Sequence, residues 1–280
     1  MTFRIGAHVS VSGGVEKAVK RQADIGGNCG QIFAGSPRTW SVASYDKSEG
    51  KRFQELAEEK NQRPYVIHST YLVNLATPKD DLFQKSLDCL QAELEAAATL
   101  GVDYVVFHPG AHTGSGRENG IERIAEGIDE LDIPDGVKLL LENTAGKGTT
   151  LGKTFGELRE MIELADTPDE KIGVCIDTCH AHAAGYDLRS EEGFGDMMQE
   201  IEKDLGLDAV KLVHLNDSKD PRGSEKDNHQ DIGCGEIGDE GFRNVVNADG
   251  LEELPMILET PSEEREGYAE NLEKVLELRE

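Results

Sequence analysis

Short apolar runs, separated by stretches with helical spacing, set the outline of this chain. Strand-like runs are predicted near Phe3–His8, Gly30–Phe33, Tyr65–His68, Tyr104–His108, Lys138–Glu142, Gly173–Asp177, Val210–Leu215 and Pro255–Glu259. They are short and rich in Val, Ile and Leu, as strands covered on both faces are. Helices are predicted near Gly14–Ile25, Glu49–Glu59, Asp81–Leu100, Ile121–Leu131, Phe155–Leu164, Glu191–Leu205, Gly241–Val246 and Glu264–Leu278. In the clearest of these, Leu82, Leu87, Leu90, Leu94 and Ala97 share one face, and Gly101 supplies the stop. Eight strand–helix alternations in 280 residues predict a (β/α)8 TIM barrel over an open sheet. The segments share no motif beyond that unit, which excludes a repeat array. No low-complexity linker interrupts residues 1–280, so a single domain is expected.

The strand ends carry the chemistry. The apolar runs close on His68, His108, Glu142, Asp177, His214 and Glu259, spaced 40, 34, 35, 37 and 45 residues apart. A barrel gathers such ends on one rim, and imidazole and carboxylate are ligands of zinc and related ions. Asp177-x-x-His180 and Asp227-x-His229 add pairs expected to chelate, each from one loop. Any one of these residues alone reads more plainly as a rim histidine or a surface acid; their joint placement outweighs that. Nine ligands exceed one tetrahedral ion and suit two or three. Three divalent ions against the four carboxylates would leave the site locally cationic, even with a bridging hydroxide. That suits attack on a phosphodiester, because bound metal lowers the pKa of water to about 7. His8, His112 and His182 are read as structural neighbours of the site, and Cys179 and Cys234 as small packing residues.

Charge cuts against this picture. Asp and Glu number 55 against 29 Lys and Arg, for a net charge of −26. The acids are spread over likely helix faces, including Glu55-Glu58-Glu59, Glu191-Glu192 and Glu263-Glu264-Glu266. A solvated, self-repelling surface follows, and taken alone it argues against a nucleic-acid partner. No apolar stretch is long enough to span a bilayer and no signal peptide is legible, so a cytoplasmic protein with no membrane partner is expected; a monomer is expected as well. The five cysteines lack CxxC spacing and read as reduced thiols. Gly233-Cys-Gly-Glu-Ile-Gly238 matches a dinucleotide fingerprint but follows a polar stretch, and reads as a flexible loop. Gly146 to Thr154 has five residues between its glycines where a phosphate loop has four, so no nucleotide cofactor is expected. Asn216-Asp217-Ser218 is a glycosylation sequon without secretory context.

The segments IGAHVS, HSTYLVNL, FHPGAH, LLENTAGKG, DTCHAHAAGYDL, HLNDSK, the DxH of KDNHQDIGCGEIG, and ILETP resemble endonuclease IV, the zinc-dependent apurinic/apyrimidinic endonuclease family. The resemblance runs from about residue 4 to residue 260. It implies a barrel holding three Zn2+ per chain. His68 and His108 would hold one ion, with Glu142 bridging to a second completed by Asp177, His214 and Glu259. His180, Asp227 and His229 would hold the third. The implied reaction, in base excision repair, is hydrolysis of the phosphodiester 5′ to an abasic site in duplex DNA, by a hydroxide between the ions. It leaves a 3′-hydroxyl and a 5′-deoxyribose phosphate; trimming of blocked 3′ ends is implied too. Glu142 and Glu259 take the catalytic roles. Arg38, Tyr71 and Leu72 match the family residues that enter bent DNA around a flipped nucleotide; packing over the barrel rim is the plainer reading of Tyr71 and Leu72. Two positions depart from the family pattern: Cys234 stands where an acid is usual, and Thr39 where a longer amide is common. The acidic surface departs further. Broad basic contacts weaken steeply with salt, so reliance on metal–phosphate contact and shape, with activity flat from low to molar salt, is expected.

Two other classes remain open from the sequence. A sugar isomerase or epimerase of the xylose-isomerase-like type could use Glu142, Asp177, His214 and Glu259 around one ion, leaving the other ligands as surplus. A damage-binding protein that does not cut could share the fold, although every ligand position is filled.

Overall fold

The computed structural model describes residues 3–261 and 265–279. The predicted helix start at Glu264 and the acidic side chains of residues 263, 264 and 266 lie outside the described residues. In chain order the elements are β1 (Ile5–His8), α1 (Glu16–Asp24), β2 (Cys29–Phe33), α2 (Lys47–Glu59), β3 (Tyr65–His68), α3 (Asp80–Leu100) and β4 (Tyr104–Phe107). There follow α4 (Arg117–Asp129), β5 (Lys138–Glu142), α5 (Phe155–Leu164), β6 (Ile172–Asp177), α6 (Thr178–Ala184), α7 (Glu191–Asp204) and β7 (Val210–His214). The chain then passes through β8 (Asp217–Ser218), β9 (His229–Gln230), α8 (Gly238–Val246), β10 (Met256–Leu258) and α9 (Arg265–Leu278). The barrel closes in the order β1-β10-β7-β6-β5-β4-β3-β2, with every pair parallel. β8 and β9 form a separate antiparallel ribbon.

The period-two alternation of strands explains both the core and the site. Cys29, Val66, Val106, Leu140, Cys175, Leu212 and Ile257 form a buried inner cluster, one residue from each of seven strands. Their outward neighbours, such as Ile67, Val105, Leu139, Val174 and Val213, join the outer cluster with the helices. Two residues on from each inner residue the side chain faces inward again. Those positions are Gln31, His68, His108, Glu142, Asp177, His214 and Glu259. The polar residues therefore form the layer above the apolar plug. His108 and Glu259 fall one residue past β4 and β10 but keep the offset.

Local signals account for several helix ends. Asp46 accepts from Ser48 and Glu49 amides while Glu49 bonds back to Asp46, a capping box that starts α2 earlier than its apolar spacing predicts. Gly101 adopts φ 65° and sends its amide back to the Ala97 and Ala98 carbonyls, ending α3 as predicted. Phe83 takes the buried place in α3 expected for Leu82, which is only half-buried. α4 starts at Arg117, four residues before the predicted Ile121, because its first turn, Arg-Glu-Asn-Gly, carries no apolar residue. A larger correction concerns Asp177-x-x-His180, expected to chelate from a loop; the segment is the start of α6. Asp177 closes β6 and caps α6, its Oδ1 accepting the His180 amide at 2.7 Å. The helix is too short for periodicity to register.

Candidate metal centre

At the C-terminal rim, nine imidazoles and carboxylates converge beside a cavity of about 500 Å³. Among the sets whose ligand atoms lie within 4.8 Å of one another, three hold only imidazole and carboxylate: His68, His108 and Glu142; His68, His214 and Glu259; and His180, Asp227 and His229; two others bring in the buried thiols Cys175 and Cys179. Glu142 is central and fully buried. Its Oε2 lies 3.3 Å from His68 Nε2. Its Oε1 lies 3.4 Å from His108 Nε2, 3.1 Å from His180 Nδ1 and 3.2 Å from His214 Nδ1. Asp227 Oδ1 lies 3.3 Å from His180 Nε2 and 3.1 Å from His229 Nε2. Asp177 is held differently: Oδ2 accepts from Asn216 Nδ2 at 2.6 Å and lies 3.8 Å from His229 Nε2.

Backbone carbonyls sort the ring nitrogens. His68 Nδ1 sits 2.7 Å from the Ser69 carbonyl, His180 Nδ1 2.9 Å from that of Asn143, and His229 Nδ1 3.0 Å from that of Glu259. A carbonyl only accepts, so each Nδ1 carries a proton and each Nε2 is left for the cluster. His214 is reversed, with Nε2 2.8 Å from Gln31 Oε1 and Nδ1 facing the carboxylates. Both Glu142 oxygens, His214 Nδ1 and His229 Nε2 are buried and make no hydrogen bond. Buried polar atoms are rarely left so. Nitrogen and carboxylate oxygen orphaned together, with no thiolate among them, is the donor set that zinc accepts.

The electrostatics express the same demand for cations. Burial opposes ionisation of Glu142, yet His214 and His108 hold it well below the usual carboxylate range. Glu259 and Asp227 are likewise lowered against burial, by His214 and His180 respectively. Burial disfavours the His68 and His229 imidazoliums, but Glu142 and Asp227 push them up to about 9. His180 rises well above its ordinary value against burial, through Asp177 and Asp227. Cys175, at the floor of the cluster, is kept a thiol by burial and by Glu142. In Cys179, burial pushes the thiol up to about 12.

Arg38, Tyr71 and Leu72 lie on two loops stitched together. Thr70 Oγ1 donates to the Pro37 carbonyl at 2.6 Å and the Tyr71 amide to the same oxygen at 3.3 Å, which ties the Arg38 turn to the Tyr71 loop. Tyr71 is 64% exposed and Leu72 37%, so packing over the rim does not bury them. Arg38 is exposed. Behind this loop, buried Glu93 accepts the Thr70 amide at 3.1 Å.

The remaining sequence expectations separate cleanly. His112 Nδ1 accepts the Gly114 and Gly116 amides and is a turn residue. His182 is buried, with neither ring nitrogen hydrogen-bonded. His8 lies on the cavity wall, Nδ1 3.5 Å from Glu259 Oε1. Cys179 is buried as expected, whereas Cys234 is exposed and does not pack. The glycine-rich loop around it is tied, not free: Asp217 accepts amides from Ser218, Gly235, Ile237 and Gly238. A Cβ at Gly235 would meet the Ser218 carbonyl at 2.3 Å, which is why glycine stands there. Gln31, Asn143 and Asn216 also touch the cluster, outside the set expected from the sequence. Gln31 was legible in principle, since it stands two residues past Cys29 as the proposed ligands stand past their inner residues.

The family model described as a xylose isomerase-like TIM barrel matches residues 19–278. A probable endonuclease 4 from Halobacterium salinarum is 49% identical over 277 residues, covering 99% of this chain and 100% of the relative. The chain belongs to the endonuclease IV family. The crystal structure of endonuclease IV from Thermus thermophilus superposes with a TM-score of 0.88 at 39% identity, covering 98% of each chain. A D-tagatose 3-epimerase-like protein shares the barrel with a TM-score of 0.73 at 21% identity, covering 98% of this chain and 97% of that one; this likeness concerns the fold alone. Among the described residues of this endonuclease IV relative, no helix is long and apolar enough to cross a membrane.

Proposed function

We propose that this chain is a three-zinc endonuclease that cuts duplex DNA on the 5′ side of abasic sites and trims blocked 3′ ends, working as a cytoplasmic monomer. The observation that carries the reading is Glu142, a buried carboxylate with no hydrogen bond, whose oxygens reach histidines from four other parts of the chain. His68, His108 and Glu142 would hold one ion. Glu142, Asp177, His214 and Glu259 would hold the second, and His180, Asp227 and His229 the third. Zinc bound there would bring water within reach of ionisation near pH 7 and offset charge on the oxygens of a phosphodiester.

The chain supplies the rest. Asn143 and the carbonyls of Ser69 and Glu259 aim imidazoles at the cluster. Asn216 bridges Asp177 and Glu259, accepting the Glu259 amide at 2.7 Å, and so sets the spacing of two carboxylates at the ends of β6 and β10. Tyr71 and Leu72 project as an apolar wedge for a base stack. Arg38 and Lys219 offer cations to the backbone beside a cavity open enough for an extruded sugar phosphate.

A one-ion sugar isomerase would use Glu142, Asp177, His214 and Glu259. It has no use for the Asp227 group or for His68 and His108 beside Glu142. The deciding experiment incubates zinc-loaded protein with a duplex carrying one abasic analogue. Nicking on its 5′ side, abolished in Glu142→Gln and Glu259→Gln, is expected. A duplex left bound but uncut across salt conditions would refute catalysis, and one zinc per chain would favour the isomerase.

A further inference from the structure

We infer that Gln31 is a positioning residue of this centre: its single carboxamide sets which nitrogen of His214 faces the carboxylates and holds Glu259 beside it. The inference rests on the metal-centre reading above.

Gln31 is fully buried in β2, opposite His8 of β1. Its Oε1 lies 2.8 Å from His214 Nε2. Its Nε2 lies 2.5 Å from Glu259 Oε1 and 3.0 Å from His8 Nδ1. These contacts use both N–H groups and the oxygen of the amide. The amide cannot be turned over. An ionised carboxylate only accepts, so the NH2 must face Glu259; the reverse orientation would set two acceptors against each other at 2.5 Å. The amide oxygen therefore faces His214, whose Nε2 must carry the proton. The lone pair of the neutral ring is left on Nδ1, 3.2 Å from Glu142 Oε1 and 3.4 Å from Glu259 Oε2. The other three cluster histidines with an assigned partner are set by backbone carbonyls. His214 alone among them depends on a side chain, and that side chain also restrains Glu259. Asn216 reaches the other Glu259 oxygen only at 3.4 Å.

The test compares wild type with Gln31→Leu and Gln31→Glu. Gln31→Glu still accepts from His214 but cannot donate to Glu259. Zinc affinity is read by competition with a chelator of known affinity. Hydrogen-bonding partners behind metal ligands are worth about 10- to 100-fold in affinity. One ion per chain is expected to weaken by that factor in both variants while the others hold. Nitrogen-15 NMR of the metal-free protein above pH 9 should show His214 protonated on Nε2 in wild type and Gln31→Glu, and mixed in Gln31→Leu. A residue that merely packs would shift the melting temperature without separating one ion from the rest. Wild type with three zincs, and variants matching it in every affinity and in the His214 tautomer, would overturn this inference alone. Wild type that takes up no zinc would overturn the metal centre and this inference with it.

Discussion

Glu93 on α3 offers a sharp test of how the loop carrying Tyr71 is held. Its carboxyl is 3% exposed, accepts the Thr70 amide, and leaves Oε2 without a hydrogen bond. Burial pushes its pKa up to about 7, against the pull of Ser69 and Thr70. An acid whose folded pKa exceeds its unfolded value stabilises the fold fully below the unfolded value. That contribution is lost as pH rises through the folded pKa. With an unfolded value near 4.5, a shift of this size is worth about 3 kcal/mol, of which roughly 2 to 3 falls between pH 5 and pH 8. Glu93→Gln keeps an acceptor for Thr70 and removes the titration. Urea unfolding of wild type and variant, at fixed salt and zinc, gives the difference at each pH. The variant should gain about 2 to 3 kcal/mol relative to wild type from pH 5 to pH 8. A difference independent of pH would show that Glu93 is not buried as an acid, and the loop anchor would have to be reassigned.

Other consequences follow from the same geometry. Asp217→Ala strands amides of Ser218, Gly235, Ile237 and Gly238 and should cost about 3 to 5 kcal/mol in denaturant unfolding, with Asp217→Asn costing less. Because His68 and His229 hold protons up to about 9 without metal, zinc uptake at pH 7 should release more than one proton per chain into an indicator dye, and zinc affinity should fall as pH drops. Tyr71→Ala should leave stability within about 0.5 kcal/mol, since the ring is exposed, while weakening binding to an abasic duplex by about 1 to 3 kcal/mol. Nicking rates measured from low to molar salt should stay flat if metal and shape dominate recognition; a steep fall would assign the affinity to Arg38, Lys219 and their like.

The strand–helix order was legible because the barrel strands are short and largely apolar, and seven of the eight run into a polar residue at the strand end or one position past it. The inner residues Val66, Val106, Leu140, Cys175, Leu212 and Ile257 stand two before His68, His108, Glu142, Asp177, His214 and Glu259. Period-two geometry then carries those residues to the barrel axis without further information. The sequence by itself therefore determined the barrel, the family, and the rim to which these side chains belong. What it could not determine is how they meet, because contacts across strands depend on register and closure. Only the closed barrel sets Gln31 of β2 against His214 of β7 and Glu259 after β10, residues 183 and 228 positions away. Only the fold turned Asp177 to His180 from a loop into a capped helix, and made Asp217 the anchor of the glycine-rich loop. Those outcomes rest on hydrogen bonds between distant segments, whose partners share no periodicity that a linear pattern could record.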